Sequence, residues 1–283
     1  MNNKYFQTVI KDIETKLKDF IKSGKYKDML LIFSNISNYS LNNQILIFSQ
    51  NEDASLVYTY LGWKERGRKI KKNEKGIKII KPIIGHKKEN EDNTNVQNSC
   101  IGFQVGYVYD IQQTEGNDIN CSKFNQEEVV KNKKEILNSL NKIANENGYE
   151  IKYTNKYKLG INCYGCCNYN KKEINILENM CDLQEISTTI HECAHMLAHS
   201  VSRMDFEGIS IEEKRQIKEV EAESIACIVC SYLGLDTKDF NFAYICNWSD
   251  GEISKFKNNL EIISRYARII INKIEEEKYA KLG

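Results

Sequence analysis

His191-Glu192-Cys193-Ala194-His195 is the stretch on which the reading of this chain turns. The chain has four histidines, and this pentapeptide holds two of them, with a glutamate beside the first. On an α-helix, residues four apart share a face, with about 6 Å between their Cβ atoms. Two imidazoles so placed can grip one metal ion, and Glu192 can polarise a water on that ion. Leu183, Ile186 and Ile190 precede the motif at helical spacing and Met196 and Leu197 follow it, with no Gly or Pro between. Residues 184–200 therefore read as a partly buried helix. A shuffled chain of this composition would carry the pattern about once in two hundred, so this apolar context is what favours metal chemistry over incidental histidines.

The HExxH spacing is the one zinc metallopeptidases use. Such a site needs a third protein ligand and leaves the fourth position to water or substrate. The candidates lie in residues 218–226, where Ile225, Ile228, Val229, Tyr232 and Leu233 continue a helical repeat towards Gly234, a natural C-cap. Glu219 and Glu223 share a face. Glu219 is the expected third ligand, with Glu223 holding a ligand histidine in place, although helical geometry alone leaves the reverse assignment open. Glu221 points about 160° away from that pair and is expected to be solvated. His199 lies about 12 Å along the axis from His191, too far to share one ion readily, so a structural or rim role is expected. The chemistry implied is hydrolytic, with Zn2+ held by His191, His195 and Glu219 and Glu192 as general base; Mn2+ also suits these donors.

Composition sets bounds around this motif. A length of 283 residues suits one large or two modest domains, 41% hydrophobic residues can build real cores, and a net charge of +1 excludes a polycation. The opening residues lack a signal-peptide apolar region and the apolar runs are too short to span a bilayer, so the expectation is a cytoplasmic protein with no membrane partner. The ten cysteines are then reduced, and most of them are small buried hydrophobes. Cys163-x-x-Cys166 and Cys227-x-x-Cys230 stand much further apart than the roughly 15–20 residues usual in a zinc ribbon, and the second pair sits in the apolar face of a predicted helix, so a structural zinc site is not expected.

Along the chain, Phe6, Val9, Ile10, Ile13, Leu17, Phe20 and Ile21 repeat at three and four. A second helix is predicted over 26–36 and a third over 41–50, capped by Ser40. Residues 56–60, 77–82 and 103–111 are β-rich, with Tyr107 and Tyr109 on one face, and the polar stretch 87–99 reads as a loop. Residues 117–125 are the best linker, dividing a domain of 1–116 from one of 126–283. Beyond it come a long helix over 126–147, a short sheet over 149–176 with turns at Gly160 and Gly165, the two metal-site helices, and a final helix over 252–278. The fold class is α+β: N-terminal helices with a small antiparallel sheet, then a mainly helical domain with a short sheet.

Residues 61–88 carry eleven Lys or Arg against two Glu in a nearly neutral chain. Positive charge follows a phosphate backbone, and exposed rings stack on unpaired bases. Trp63, Lys64, Arg66, Arg68, Lys69, Lys72 and Lys75, together with Tyr107 and Tyr109, are the candidate contacts to single-stranded DNA. A solvated basic hairpin accounts for the charge equally well.

Taken together these stretches resemble the ArdC-type antirestriction family. The resemblance is carried by Tyr39-Ser40-Leu41-Asn42-Asn43-Gln44-Ile45-Leu46-Ile47, by Trp63, Gly67-Arg68 and Lys72-Asn73-Glu74-Lys75-Gly76-Ile77, and by Pro82 and Tyr107-Val108-Tyr109-Asp110-Ile111-Gln112-Gln113-Thr114. The C-terminal half resembles the ImmA/IrrE-like zincin peptidases through His191-Glu192-x-x-His195 and Glu219-x-x-x-Glu223. The resemblance implies a single-stranded-DNA-binding N-terminal domain, a zincin-like, gluzincin-type C-terminal domain, and a role in protecting incoming mobile DNA from host restriction. Two departures stand out: cysteines at 163–167 replace an expected Gly/Tyr strand, and the tail after about residue 235 matches little.

Overall fold

Tyr26, Met29, Leu30 and Phe33 fall on one helical face, and in the computed structural model they are buried along α1 (Tyr26–Asn35). The structure describes residues 11, 13, 15–17, 19, 23–88, 96–119, 125–155, 163–201, 207–238, 240, 242 and 253–279. Of the first predicted helix, the described residues are helical and Ile13 and Leu17 are fully buried; the rest of it, Gly160, and the loop at 89–95 lie outside the described residues. The chain divides into two compact units, residues 1–20 with 39–121 and residues 21–38 with 122–283. The division near 121 falls inside the expected linker. However, α1 belongs to the second unit, because Tyr26 Oη meets Ser224 Oγ at 2.9 Å and Ser34 Oγ meets Ser231 Oγ at 3.1 Å.

The first unit holds α2 (Leu41–Gln50), β1 (Val57–Tyr58), α3 (Tyr60–Glu65), β2 (Arg68–Ile70), β3 (Ile77–Lys88), β4 (Val96–Asp110), a 3-10 turn (Ile111–Gln113) and β5 (Thr114–Gly116). One antiparallel sheet has the order β1-β4-β3, and β2 pairs with β5. The β3–β4 ladder runs from Ile77↔Val108 out to Lys88↔Val96, so strand replaces loop at both ends of 87–99. Cross-strand pairing satisfies the backbone whatever the polarity of the side chains, which composition alone does not register. Strand residues near 56–60 are confined to β1, because Thr59 accepts from Gly62 N–H and starts α3. Ile77, Ile79 and Val108 form the buried face, while Phe103, Val105 and Tyr107 alternate onto the exposed one. Pro82, the chain's one proline, is tolerated because β3 is an edge strand.

The second unit adds α4 (Gln126–Lys131), α5 (Lys133–Glu146), β6 (Glu150–Thr154), β7 (Gly165–Asn168), β8 (Glu173–Leu177), α6 (Asp182–His199), α7 (Ile211–Tyr232) and α8 (Ile253–Tyr279). The expected long helix over 126–147 is two helices that break at Asn132. Its sheet has the order β6-β8-β7, with β6 parallel to β8 and β7 an antiparallel edge. Gly165 sits in strand β7, not in a turn; the reversal before β8 is made at 169–172. From Val220 to Ser231, α7 is buried nearly all round between α1, α6 and α8, as befits a helix whose apolar residues do not keep to one stripe. Gly234 follows at φ +72°, the left-handed C-cap geometry its position suggested. The fold is thus α+β in both units. No helix among the described residues is long and apolar enough to cross a membrane.

Candidate metal centre

Because α6 runs unbroken through the motif, His191 and His195 present their rings on one face, with Nε2 atoms 3.0 Å apart. The packing of α6 against α7 brings Glu219 to them. Its Oε2 lies 3.4 Å from His195 Nε2 and 3.8 Å from His191 Nε2. A tetrahedral ion with ligand bonds near 2.05 Å separates its donors by about 3.3 Å, so this triangle of two imidazoles and one carboxylate fits a divalent metal. Among the described residues, these three are the group whose donors converge in this way.

The electrostatics suit ligation. Burial, reinforced by His195, holds His191 down at about 4, leaving at neutral pH the free imidazole a metal requires. The hydrogen bond with His195 holds the Glu219 carboxyl below its ordinary value. Glu192 is buried beside the ligands, and burial first, with Glu219 assisting, pushes it up to about 7. A carboxyl poised near neutrality is matched to moving protons in both directions. Strand β7 positions it: the Cys167 backbone N–H donates to Glu192, and Gly165 passes so close that an added Cβ would stand 2.7 Å from Glu192 Cγ. A cavity of about 840 Å³ opens over the ligands, lined also by Cys166, Cys167 and Tyr169. Burial pushes the Cys167 thiol up to about 12 and raises that of Cys166, so both are protonated, uncharged walls. Cys227 and Cys230 are buried in α7.

One expectation about the ligand helices changes. Glu221 is 0% exposed, not solvated: the helix is enclosed at that level, and its Oε2 pairs with His199 Nε2 at 2.9 Å. His199 Nδ1 in turn lies 3.3 Å from His195 Nδ1. Glu221 is therefore connected to His195 through His199. Glu223 is not among the residues lining the cavity. Spacing missed this because it compares residues on one helix, whereas the pairing is between two.

The basic segment divides into parts. Trp63 is 0% exposed and its indole N–H donates to the Tyr109 carbonyl at 2.8 Å. It is a core residue and not a stacking surface, because the helix α3 that carries it is closed over by β4. The Arg68 guanidinium donates to Thr114 Oγ1 and to the carbonyls of Thr114 and Asn117. Arg66 lies over the Tyr58 ring at 3.8 Å, and Lys69 pairs with Glu115 at 3.1 Å. Lys64, Lys72 and Lys75 are exposed, and Tyr109 is half-buried. Tyr107, at 52% exposure, shares its sheet face with Phe103 at 48%, an aromatic residue absent from the expected contacts.

Comparison with known proteins accords with this architecture. Residues 2–139 match the family described as the N-terminal domain of anti-restriction factor ArdC. The antirestriction ArdC protein from the R388 plasmid has a similar structure in its metal-free form (TM-score 0.55, 17% identity) and in its Mn(II)-bound form (TM-score 0.56, 18% identity), in each case over 94% of this chain and 97% of that one. An uncharacterized protein of Bacillus anthracis is 25% identical over 291 residues, 89% of this chain and 48% of its own length, so the chain spans about half of that curated relative. Residues 2–139 are thus similar to the ArdC N-terminal domain family, and the chain as a whole has a fold similar to that of the ArdC protein of R388.

Proposed function

We propose that this protein is an antirestriction factor that binds single-stranded DNA through its first unit and carries a zinc-dependent, zincin-like metallopeptidase site in its second. The observation that carries the peptidase reading is the convergence of His191, His195 and Glu219 beside Glu192. Zinc is assigned from two imidazoles and a carboxylate. Mn2+ suits the same donors, and the R388 protein holds Mn(II) in one of its structures. When bound, the ion supplies Lewis-acid polarisation of a scissile carbonyl and lowers the pKa of water towards about 7. Glu192 takes the proton of the attacking water and delivers it to the leaving amine. Among the described residues β7 has a sheet partner on one side only, and its outer edge can align an extended peptide by main-chain hydrogen bonds across the cavity. Glu192→Gln is expected to retain the metal and to lose cleavage of a fluorogenic peptide library; unchanged turnover would remove the mechanism.

The antirestriction reading rests on the ArdC relationship, and the DNA reading on the exposed face of β4. Phe103 and Tyr107 alternate outward there, and the register sets Lys78 opposite Tyr107, a combination of ring and charge that suits unpaired bases. Fluorescence anisotropy of the full chain with single-stranded and duplex oligonucleotides, over a salt series, tests it. A salt-dependent preference for the single strand is expected; equal or absent binding would shift the function to regulatory proteolysis of a repressor.

A further inference from the structure

His199 and Glu221 lie outside the ligand triangle, yet each side chain is 0% exposed and they pair at 2.9 Å. A buried pair able to ionise is a poor stabiliser, since the desolvation cost rivals the attraction and apolar replacements are often neutral or better. Fold stability therefore gives no account of placing this pair between α6 and α7, where Ala222, Ile225 and Ala226 are also buried. Its connections give one. His195 Nε2 faces His191 and Glu219, and His195 Nδ1 faces His199 Nδ1 at 3.3 Å. When His195 ligates through Nε2, its proton must sit on Nδ1, which donates to His199 Nδ1. His199 then carries its own proton on Nε2 and donates to Glu221 Oε2. Every ring N–H in this chain has an acceptor. Metal-binding histidines ordinarily hand their second N–H directly to a carboxylate or carbonyl, and partners of this kind tune affinity; here a second histidine is interposed.

We infer that His199 and Glu221 are positioning residues that lock the tautomer and ring orientation of His195 and raise the affinity of the metal centre. The inference rests on the metal-site reading above. The test is competitive titration of the full-length apoprotein with Zn2+ against a chromogenic chelator, for wild type, Glu221→Gln and His199→Phe, with the apo unfolding midpoint of each. Glu221→Gln keeps shape and an acceptor oxygen while removing the charge. Both variants are expected to bind Zn2+ roughly 10- to 100-fold more weakly; the apo midpoint of Glu221→Gln is expected to stay at that of wild type, while His199→Phe leaves the buried Glu221 unpaired and lowers its own, whereas a merely structural pair would lower the midpoint of Glu221→Gln and leave its affinity alone. Nitrogen NMR of the loaded wild type is expected to show His199 protonated on Nε2. Affinity within twofold of wild type in Glu221→Gln overturns the inference even if His199→Phe fails to fold. A wild type that binds no Zn2+ overturns the metal-site reading itself.

Discussion

At the scale of single residues, the first unit is held by side chains that serve the backbone. The Asp110 carboxylate is fully buried and accepts from the amides of Ser55, Leu56 and Gln112, while Gln113 Oε1 accepts from the Asp110 amide. The Tyr-Val-Tyr-Asp-Ile-Gln-Gln-Thr stretch is thus a structural clasp as much as a surface. Trp63 belongs to the same interior. Replacing Trp63 by Ala is expected to cost about 3–5 kcal/mol of stability, measured by urea unfolding, and to change DNA affinity only through folding. Phe103→Ala and Tyr107→Ala should do the opposite. Each is expected to lose about 1–3 kcal/mol of affinity for single-stranded DNA while leaving the unfolding midpoint in place. Undiminished binding in the double variant would exclude this face of β4.

At the scale of elements, two edges matter. The outer edge of β3 is covered by amide side chains from α2: Asn43 Oδ1 accepts from Ile80 N–H at 2.8 Å and its Nδ2 donates to the same residue's carbonyl at 2.9 Å, and Gln50 does likewise at Lys78. This satisfies an edge that would otherwise template aggregation. Asn43→Ala strands both groups of Ile80 and is expected to cost about 1–3 kcal/mol, read as a shift of the denaturant midpoint at unchanged slope. Among the described residues the outer edge of β7 has no strand partner, and it runs beside Glu192. Adding one methyl in Gly165→Ala places a Cβ 2.8 Å from both Glu192 Oε1 and Thr188 Cγ2, so the proposed base must move. A displacement near 1 Å costs on the order of a hundredfold in rate. Peptide cleavage is expected to fall accordingly with Zn2+ affinity intact, since none of the three ligands is on β7. Equal turnover would separate β7 from the chemistry.

For the whole molecule, the candidate metal site belongs to one unit. All three ligands lie in the second, so an ion at a hundred times its dissociation constant should add about 2.7 kcal/mol there, raising its midpoint by roughly 5–10 °C. Calorimetry with Zn2+ and then with excess chelator measures this; a midpoint indifferent to both would dismiss the metal centre.

The sequence alone determined the α6 helix and the grouping of His191, Glu192 and His195, because residues four apart on a helix meet whatever else the chain does. It determined the register-independent features too: the C-cap at Gly234, the start of α2 after Ser40, and the ArdC-like stretches of the first 115 residues. Tertiary packing decided the rest. Glu219 and Glu223 are equivalent by helical period, and the approach of α7 to α6 is what turns Glu219 to the histidines and encloses Glu221 against His199. Trp63 looked available for stacking until β4 closed over it. The placement of α1 with the second unit depended on hydroxyl pairs almost two hundred residues apart, Tyr26 with Ser224 and Ser34 with Ser231. Local periodicity records which face of a segment is apolar; it holds no information about which distant segment will cover that face.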